Sequence, residues 1–467
     1  MQRATIRAGI LAGLFALLFS CLPAASADVA PGVNPDAVAK AIERGVVYLK
    51  ANQGKNGSWS YNNGGGPTGG VRVGGTMQKV FDEQNTWMDL GTTALAGLAL
   101  LEADVKPDDP AVQKAADHLR QGLPELTWTH SLAAAVLFLD RLNDPRDVER
   151  IRTLGARLAS GQLRDGGWTY YCPKLPEGDV RKLNHASEAL YLQGLARLAK
   201  QAIAAQVGGV NFSYGSASEQ SCSEFAIQGL WVARRQQVPV ATIMTAYEKM
   251  CRANQQPDGS FPYGPWNGGF TIMPGYSSPV MTGAGLLGLL TCHGSANEAA
   301  LLKYAKSKTG ALPAPGKGLR DLAKDQALVK GFAALEKMMA YDGKAQDPKQ
   351  KPAAGASGTG AYANINHFTA NSSYVYMSLW SVERIAVAYD QEKFGKIDWY
   401  EWGAKKLLAW QSKDGGWIRE TGMKTPHLDT AFALLFLRRA QPVPDLYPIL
   451  KGVLPPPREP SSPSAEK

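Results

Sequence analysis

Residues Trp402–Trp417 read WGAKKLLAWQSKDGGW, and the stretch changes character half-way. Leu407, Leu408 and Trp410 alternate with Lys405, Lys406 and good helix formers, so the first part is a helix. Gln411 then opens a run that cannot stay helical. Asp414, Gly415 and Gly416 supply turn chemistry and permit positive φ. Trp417 closes the run, and an aromatic of that size is expected to dock on a neighbouring element.

The pattern occurs three more times: Gln53 to Trp59 (NQGKNGSW), Gln162 to Trp168 (GQLRDGGW) and Gln255 to Phe261 (NQQPDGSF). In each copy the aromatic stands six residues after the Gln, and an Asp or Asn (Asn56, Asp165, Asp258, Asp414) lies three before it. A Gly follows each of these (Gly57, Gly166, Gly259, Gly415). Four matches at several fixed offsets make an internal repeat.

The unit resembles the QW repeat of the prenyltransferase/squalene–hopene cyclase superfamily, best in Trp402–Trp417 and in Gly45–Trp59, GVVYLKANQGKNGSW. The resemblance covers roughly Asn34 to Leu450. It implies an all-α fold, an α/α toroid of about 12–14 helices in two concentric rings. In that fold Gln and aromatic tie the end of an outer helix to its neighbour. Helical periodicity recurs along the chain, and polar-faced segments alternate with nearly all-apolar ones. The spacing of the closing aromatics, at 59, 168, 261 and 417, reads as two, two and three hairpins of about fifty residues each.

The chain has 467 residues, 45% hydrophobic and 19% charged, which suits one large globular domain over residues 28–454. Residues 1–27 read as an export signal: Arg3 and Arg7, an apolar run from Ala8 to Leu22, then Ala25-Ser26-Ala27 as cleavage site. The expected location is periplasmic or secreted, with no transmembrane span in the mature chain. Leu18 to Cys21 loosely resembles a lipoprotein signal, an alternative that would anchor Cys21, although Phe19 fits it poorly. Residues 342–366 read as a flexible insertion and 455–467 as a disordered tail. Net charge is +9, with no concentrated basic block, so no nucleic-acid role is suggested. Cys172, Cys222, Cys251 and Cys292 carry no metal-type spacing, and export leaves disulfides open beside the reading as buried small apolar groups.

In such a toroid the inner-helix N-termini converge on one end of the ring. The expected residues there are Asp89, His130, His185 with Glu188, Cys222 with Glu224, Thr282, Ser372 with Tyr374, and His427 with Asp429. Capping explains Asp89, Ser372 and Asp429 equally well. The superfamily's chemistries are not written here. No DxDD acid motif occurs. The zinc pattern, Asp-x-Cys with a distant His, meets Gln220 where its Asp should precede Cys222, leaving His427 and Asp429 to complete a weak match. The thioester pattern meets Phe225 where Gln is needed. No metal and no cofactor are implied. Three readings follow: a non-catalytic toroid binding a ligand or protein, an isoprenoid enzyme walled by Trp231, Tyr374, Tyr376 and Trp380, or a glycan-active protein. The last rests on loop aromatics (Tyr61, Tyr170, Tyr171, Tyr263, Trp266, Phe270, Tyr276) and a Glu188–Asp429 carboxylate pair.

Overall fold

The computed structural model describes residues 32–61, 75–183, 186–206, 218–264, 277–306, 319–340, 368, 374–419 and 424–454, with backbone alone for 75–85 and 203–206. The expected signal, insertion and tail, together with His185, Ser372, Trp266, Phe270 and Tyr276, lie outside them. In chain order the helices are α1 (Pro35–Ala51), α2 (Gly75–Glu102), α3 (Pro110–Gly122), α4 (Thr129–Leu142), α5 (Val148–Ser160), α6 (Glu177–Arg181), α7 (Glu188–Gln206) and α8 (Gln220–Ala233). Then follow α9 (Ala241–Asn254), α10 (Pro279–Ala305), α11 (Gln326–Ala340), α12 (Val375–Ala388), α13 (Trp399–Trp410), α14 (Pro426–Leu437) and α15 (Leu446–Leu450). One short hairpin, β1 (Lys393–Phe394) with β2 (Ile397–Asp398), precedes α13.

Six helices pack in a cycle: α2 on α4, α4 on α8, α8 on α10, α10 on α12, α12 on α14, and α14 back on α2. These are the apolar ones. Every residue of α8 is buried, and so is nearly every residue of α4 and α14. A helix apolar on all sides needs neighbours on all sides, and the cycle supplies them. The amphipathic helices α1, α3, α5, α9, α11 and α13 each pack outside members of that cycle.

The repeat holds the outer layer together. Each Gln side-chain amide donates to the carbonyl of the Gly four residues on. It also donates to a carbonyl of a second outer helix: Gln53 to Ala111, Gln162 to Ile243, Gln255 to Ala327 and Gln411 to Ala41, all at 2.8–2.9 Å. The turn Gly sits at positive φ (89–100°) against the same helix. A Cβ there would lie 2.2–2.6 Å from the carbonyl oxygen of Lys114, Ala246, Lys330 or Arg44, so only Gly fits. Trp59, Trp168 and Trp417 are fully buried and donate Nε1–H to the carbonyls of Leu49, Leu158 and Leu407. Phe261 is equally buried but has no N–H to give. The backbone N–H of each aromatic then meets a hydroxyl on an inner helix: Thr93, Ser223, Thr282 or Thr430. The fourth copy reaches Ala41 in α1, which joins the first and last outer helices.

Two expectations need correction. Asp89 is not an N-cap, because α2 begins at Gly75 and carries Asp89 inside it. Residues Pro279–Ala305 form one continuous helix, α10, with nothing to break its i to i−4 ladder. Helix α7, expected among the inner helices, does not join the cycle, and residues such as Leu190, Arg197 and Lys200 stay exposed on it. It packs on α5, and the second staple passes from α5 directly to α9.

Candidate functional site

The staples bring the N-termini of inner helices α4 and α8, and Asp89 within α2, to one end of the cycle. Thr129 N–H donates to the Tyr170 carbonyl, Glu219 N–H to Trp168 and Gln220 N–H to Tyr263. Each staple aromatic is therefore followed closely by the rim. The residue two places beyond it is Tyr61, Tyr170, Tyr263 or Arg419 in the four copies. Tyr61 stands close enough to Tyr374 and Arg419 to feel both groups. The Tyr170 and Tyr263 hydroxyls hydrogen-bond to one another. Tyr374, more than half exposed, raises the pKa of both Tyr61 and Tyr263, with burial the larger cause at each.

On the α2–α14 side, Asp89 accepts from Tyr61 N–H (2.6 Å) and from the Ser60 hydroxyl (3.3 Å). Burial raises its pKa, and these hydrogen bonds oppose the rise. His427 donates Nδ1–H to the Ser60 carbonyl (2.9 Å), and burial keeps the ring neutral by lowering its pKa. Asp429, expected as a cap, instead meets Arg419 Nε at 3.0 Å, with both side chains 4% exposed. Burial pushes the Asp429 carboxyl up to about 6, against the pull of Arg419.

On the α4–α8 side, Glu219 caps α8, accepting from Ser221 N–H (3.0 Å) and Cys222 N–H (2.6 Å). The Ser221 hydroxyl lies 2.8 Å from both Glu219 oxygens. His130 Nε2 is 3.1 Å from that hydroxyl, and its Nδ1 is 3.7 Å from Cys222 Sγ. Because the Ser221 proton goes to the carboxylate, the network assigns the imidazole proton to Nε2 and leaves the Nδ1 lone pair facing the sulfur. Burial lowers the His130 pKa and holds Cys222 as a thiol, its pKa pushed well above the ordinary value by burial and then by Glu219.

Beneath these residues the ring is filled. Glu224 on α8 reaches across to Arg384 on α12 (2.8 Å), both buried. The Arg384 guanidinium lies 3.8 Å over the Trp380 ring. Trp380 stacks on Phe432 at 5.2 Å and meets Phe225 at 6.3 Å. Burial raises the Glu224 pKa, opposed by Arg384. The far end is held by Asp445, which pairs with Arg234 and Arg235 and accepts from Trp231 Nε1.

The structure thus joins His130 with Cys222, and Asp89 with His427, while Glu224 sits in the interior. Glu188 is elsewhere. It begins α7 and accepts from Thr242 N–H at the start of outer helix α9, so the Glu188–Asp429 pair is not formed. His427 is not the histidine at Cys222; His130 is. Cys172, Cys222, Cys251 and Cys292 are buried free thiols, which fits their reading as small apolar groups. Sequence reasoning missed Glu219, Ser221, Arg384 and Arg419. The offset of two beyond each staple aromatic was the signal for Arg419.

No protein-family model and no curated protein matches the chain. Among solved structures, a type II terpene cyclase, MstE from Scytonema in complex with geranylgeranyl dihydroxybenzoate, is similar at 11% identity. The match covers 89% of this chain and 99% of that one, with a TM-score of 0.45. An apo form of the same cyclase matches at 12% identity over 86% and 97%, with a TM-score of 0.44. Similarity this distant says nothing about what the present chain binds or converts.

Proposed function

We propose that this protein is an exported, non-catalytic ring that binds a ligand through the tyrosine-rimmed mouth at the inner-helix N-termini. The carrying observation is the filled interior. Trp231 and Trp380 are 0% exposed and Tyr376 1%, and the Glu224–Arg384 pair crosses the ring beneath the mouth. Aromatics that walled an isoprenoid-sized cavity would each leave a face uncovered. The carboxylates near the mouth are also engaged, Asp429 by Arg419 and Glu219 by Ser221 and the Cys222 amide, which suits holding more than proton donation. Aromatic faces and phenol hydroxyls are fitting contacts for a polar ligand such as a glycan. Export rests on the signal-like residues 1–27.

Native mass spectrometry of the full chain tests this. A ligand should be retained by the wild type and lost from Tyr374→Ala, whose exposed ring has no part in the core. Retention in that variant, or cyclised product from a linear polyprenyl substrate by gas chromatography, overturns the proposal. Recovery of a mature chain beginning at Asp28 tests the export part.

A further inference from the structure

The geometry points to a zinc-type divalent-cation site formed by His130 Nδ1, the Glu219 carboxylate and Cys222 Sγ at the rim between α4 and α8. One ligand atom from each of these residues lies within 4.8 Å of the others. The His130 Nδ1 to Cys222 Sγ distance is 3.7 Å. Nitrogen and sulfur ligands on a tetrahedral zinc stand roughly 3.3–3.8 Å apart, given metal–ligand distances of about 2.0 and 2.3 Å. That edge of the tetrahedron is therefore already set. The carboxylate, within 4.8 Å of both, has at most roughly 1.5 Å to close to reach a tetrahedral position.

The surroundings prepare these atoms for a cation. His130 is fixed through its other nitrogen by Ser221 Oγ, which is itself held by Glu219. A metal-bound imidazole characteristically has this kind of outer partner, which sets the tautomer and aims the lone pair. Glu219 and Cys222 are 4% and 0% exposed, and they belong to the first turn of one helix, so their placement costs little ordering on binding. Three protein ligands of mixed N, O and S type leave one position open, as in metal sites that take an exogenous ligand. Charge also balances. A divalent cation entering displaces the Cys222 proton to solvent, and thiolate plus carboxylate offset its two positive charges. The site differs from the pattern implied by the sequence resemblance. Its carboxylate is three residues before the cysteine rather than two, and its histidine precedes both.

The test uses the full chain, stripped with a chelator and titrated with Co²⁺ alone. Wild type should take up one Co²⁺ per chain and develop thiolate-to-cobalt charge-transfer absorption. Cys222→Ser should lose that absorption, and Cys251→Ser, a buried thiol elsewhere, should keep it. Ser221→Ala should weaken uptake by roughly 10–100-fold through loss of the imidazole's outer partner. If Cys222→Ser does not fold by circular dichroism, Glu219→Gln and His130→Gln carry the test through Zn²⁺ stoichiometry by atomic emission. No charge-transfer band in the wild type overturns the assignment. So does a band unchanged in folded Cys222→Ser, or full Zn²⁺ stoichiometry in the substitute pair.

Discussion

At the residue scale, Asp429 has the clearest measurable consequence. Its carboxyl is pushed from the ordinary 3.8 up to about 6 because desolvation outweighs the Arg419 pair. The folded state therefore holds a proton that the unfolded state has released between roughly pH 4 and 6. This contribution to stability is fully present below the unfolded pKa and is lost as pH rises through the folded one, about 3 kcal/mol in all. Denaturant midpoints measured at pH 4, 5 and 6 should fall more steeply for wild type than for Asp429→Asn. Equal slopes would mean that Arg419 holds the carboxylate charged throughout. The removal of Arg419 itself is a different matter. Arg419→Met strands a buried carboxyl and should destabilise by roughly 3–5 kcal/mol at neutral pH.

At the element scale, the staple turn explains why four glycines recur and others need not. Gly57, Gly166, Gly259 and Gly415 combine positive φ with a neighbouring carbonyl where a Cβ would go. Gly178 in α6 has nothing within 4 Å of such a Cβ. Replacement of Gly166 by Ala should cost several kcal/mol, more than the roughly 1 kcal/mol of backbone strain alone, because the outer helix must also move. Gly178→Ala should be neutral or stabilise by up to about 1 kcal/mol. Thermal unfolding of the two variants compares them directly, and similar midpoints would discredit the turn's close approach. The same local chemistry is why the staples and the layering of the helices were legible in the sequence: Gln, Gly and Trp act on neighbours at fixed offsets. What was not legible depended on which helix faced which. Glu188 opens α7 and Glu224 lies one turn inside α8, yet α7 lies outside the ring and α8 inside it. Glu219 reads as a plain cap, and only the neighbouring helix reveals that it stands beside His130. Asp89 looked like a helix start because its Ala/Leu-rich continuation drew the boundary there, while α2 extends backward to Gly75.

At the scale of the whole molecule, the question is what closing the ring does. The Gln411 amide bridges the Gly415 carbonyl and the Ala41 carbonyl, 370 residues away in sequence. Arg44 of α1 reciprocates, donating to the Ser412 carbonyl at 2.5 Å. Trp417 and Leu434 leave no room for a Cβ at Gly45, so α1 is seated against both α14 and the last staple. In an open array of hairpins the terminal units contact one neighbour and fray independently. Here the first and last outer helices are each other's neighbours, and neither is terminal in space. Gln411→Ala removes one amide from two buried or half-buried carbonyls and should cost roughly 1–3 kcal/mol. In hydrogen exchange the loss should appear together in α1 and α13, while α5 and α9, stapled by Gln162, keep their protection. Protection lost from α13 alone would mean that the two ends touch without supporting one another, and the molecule would then behave as a bent solenoid.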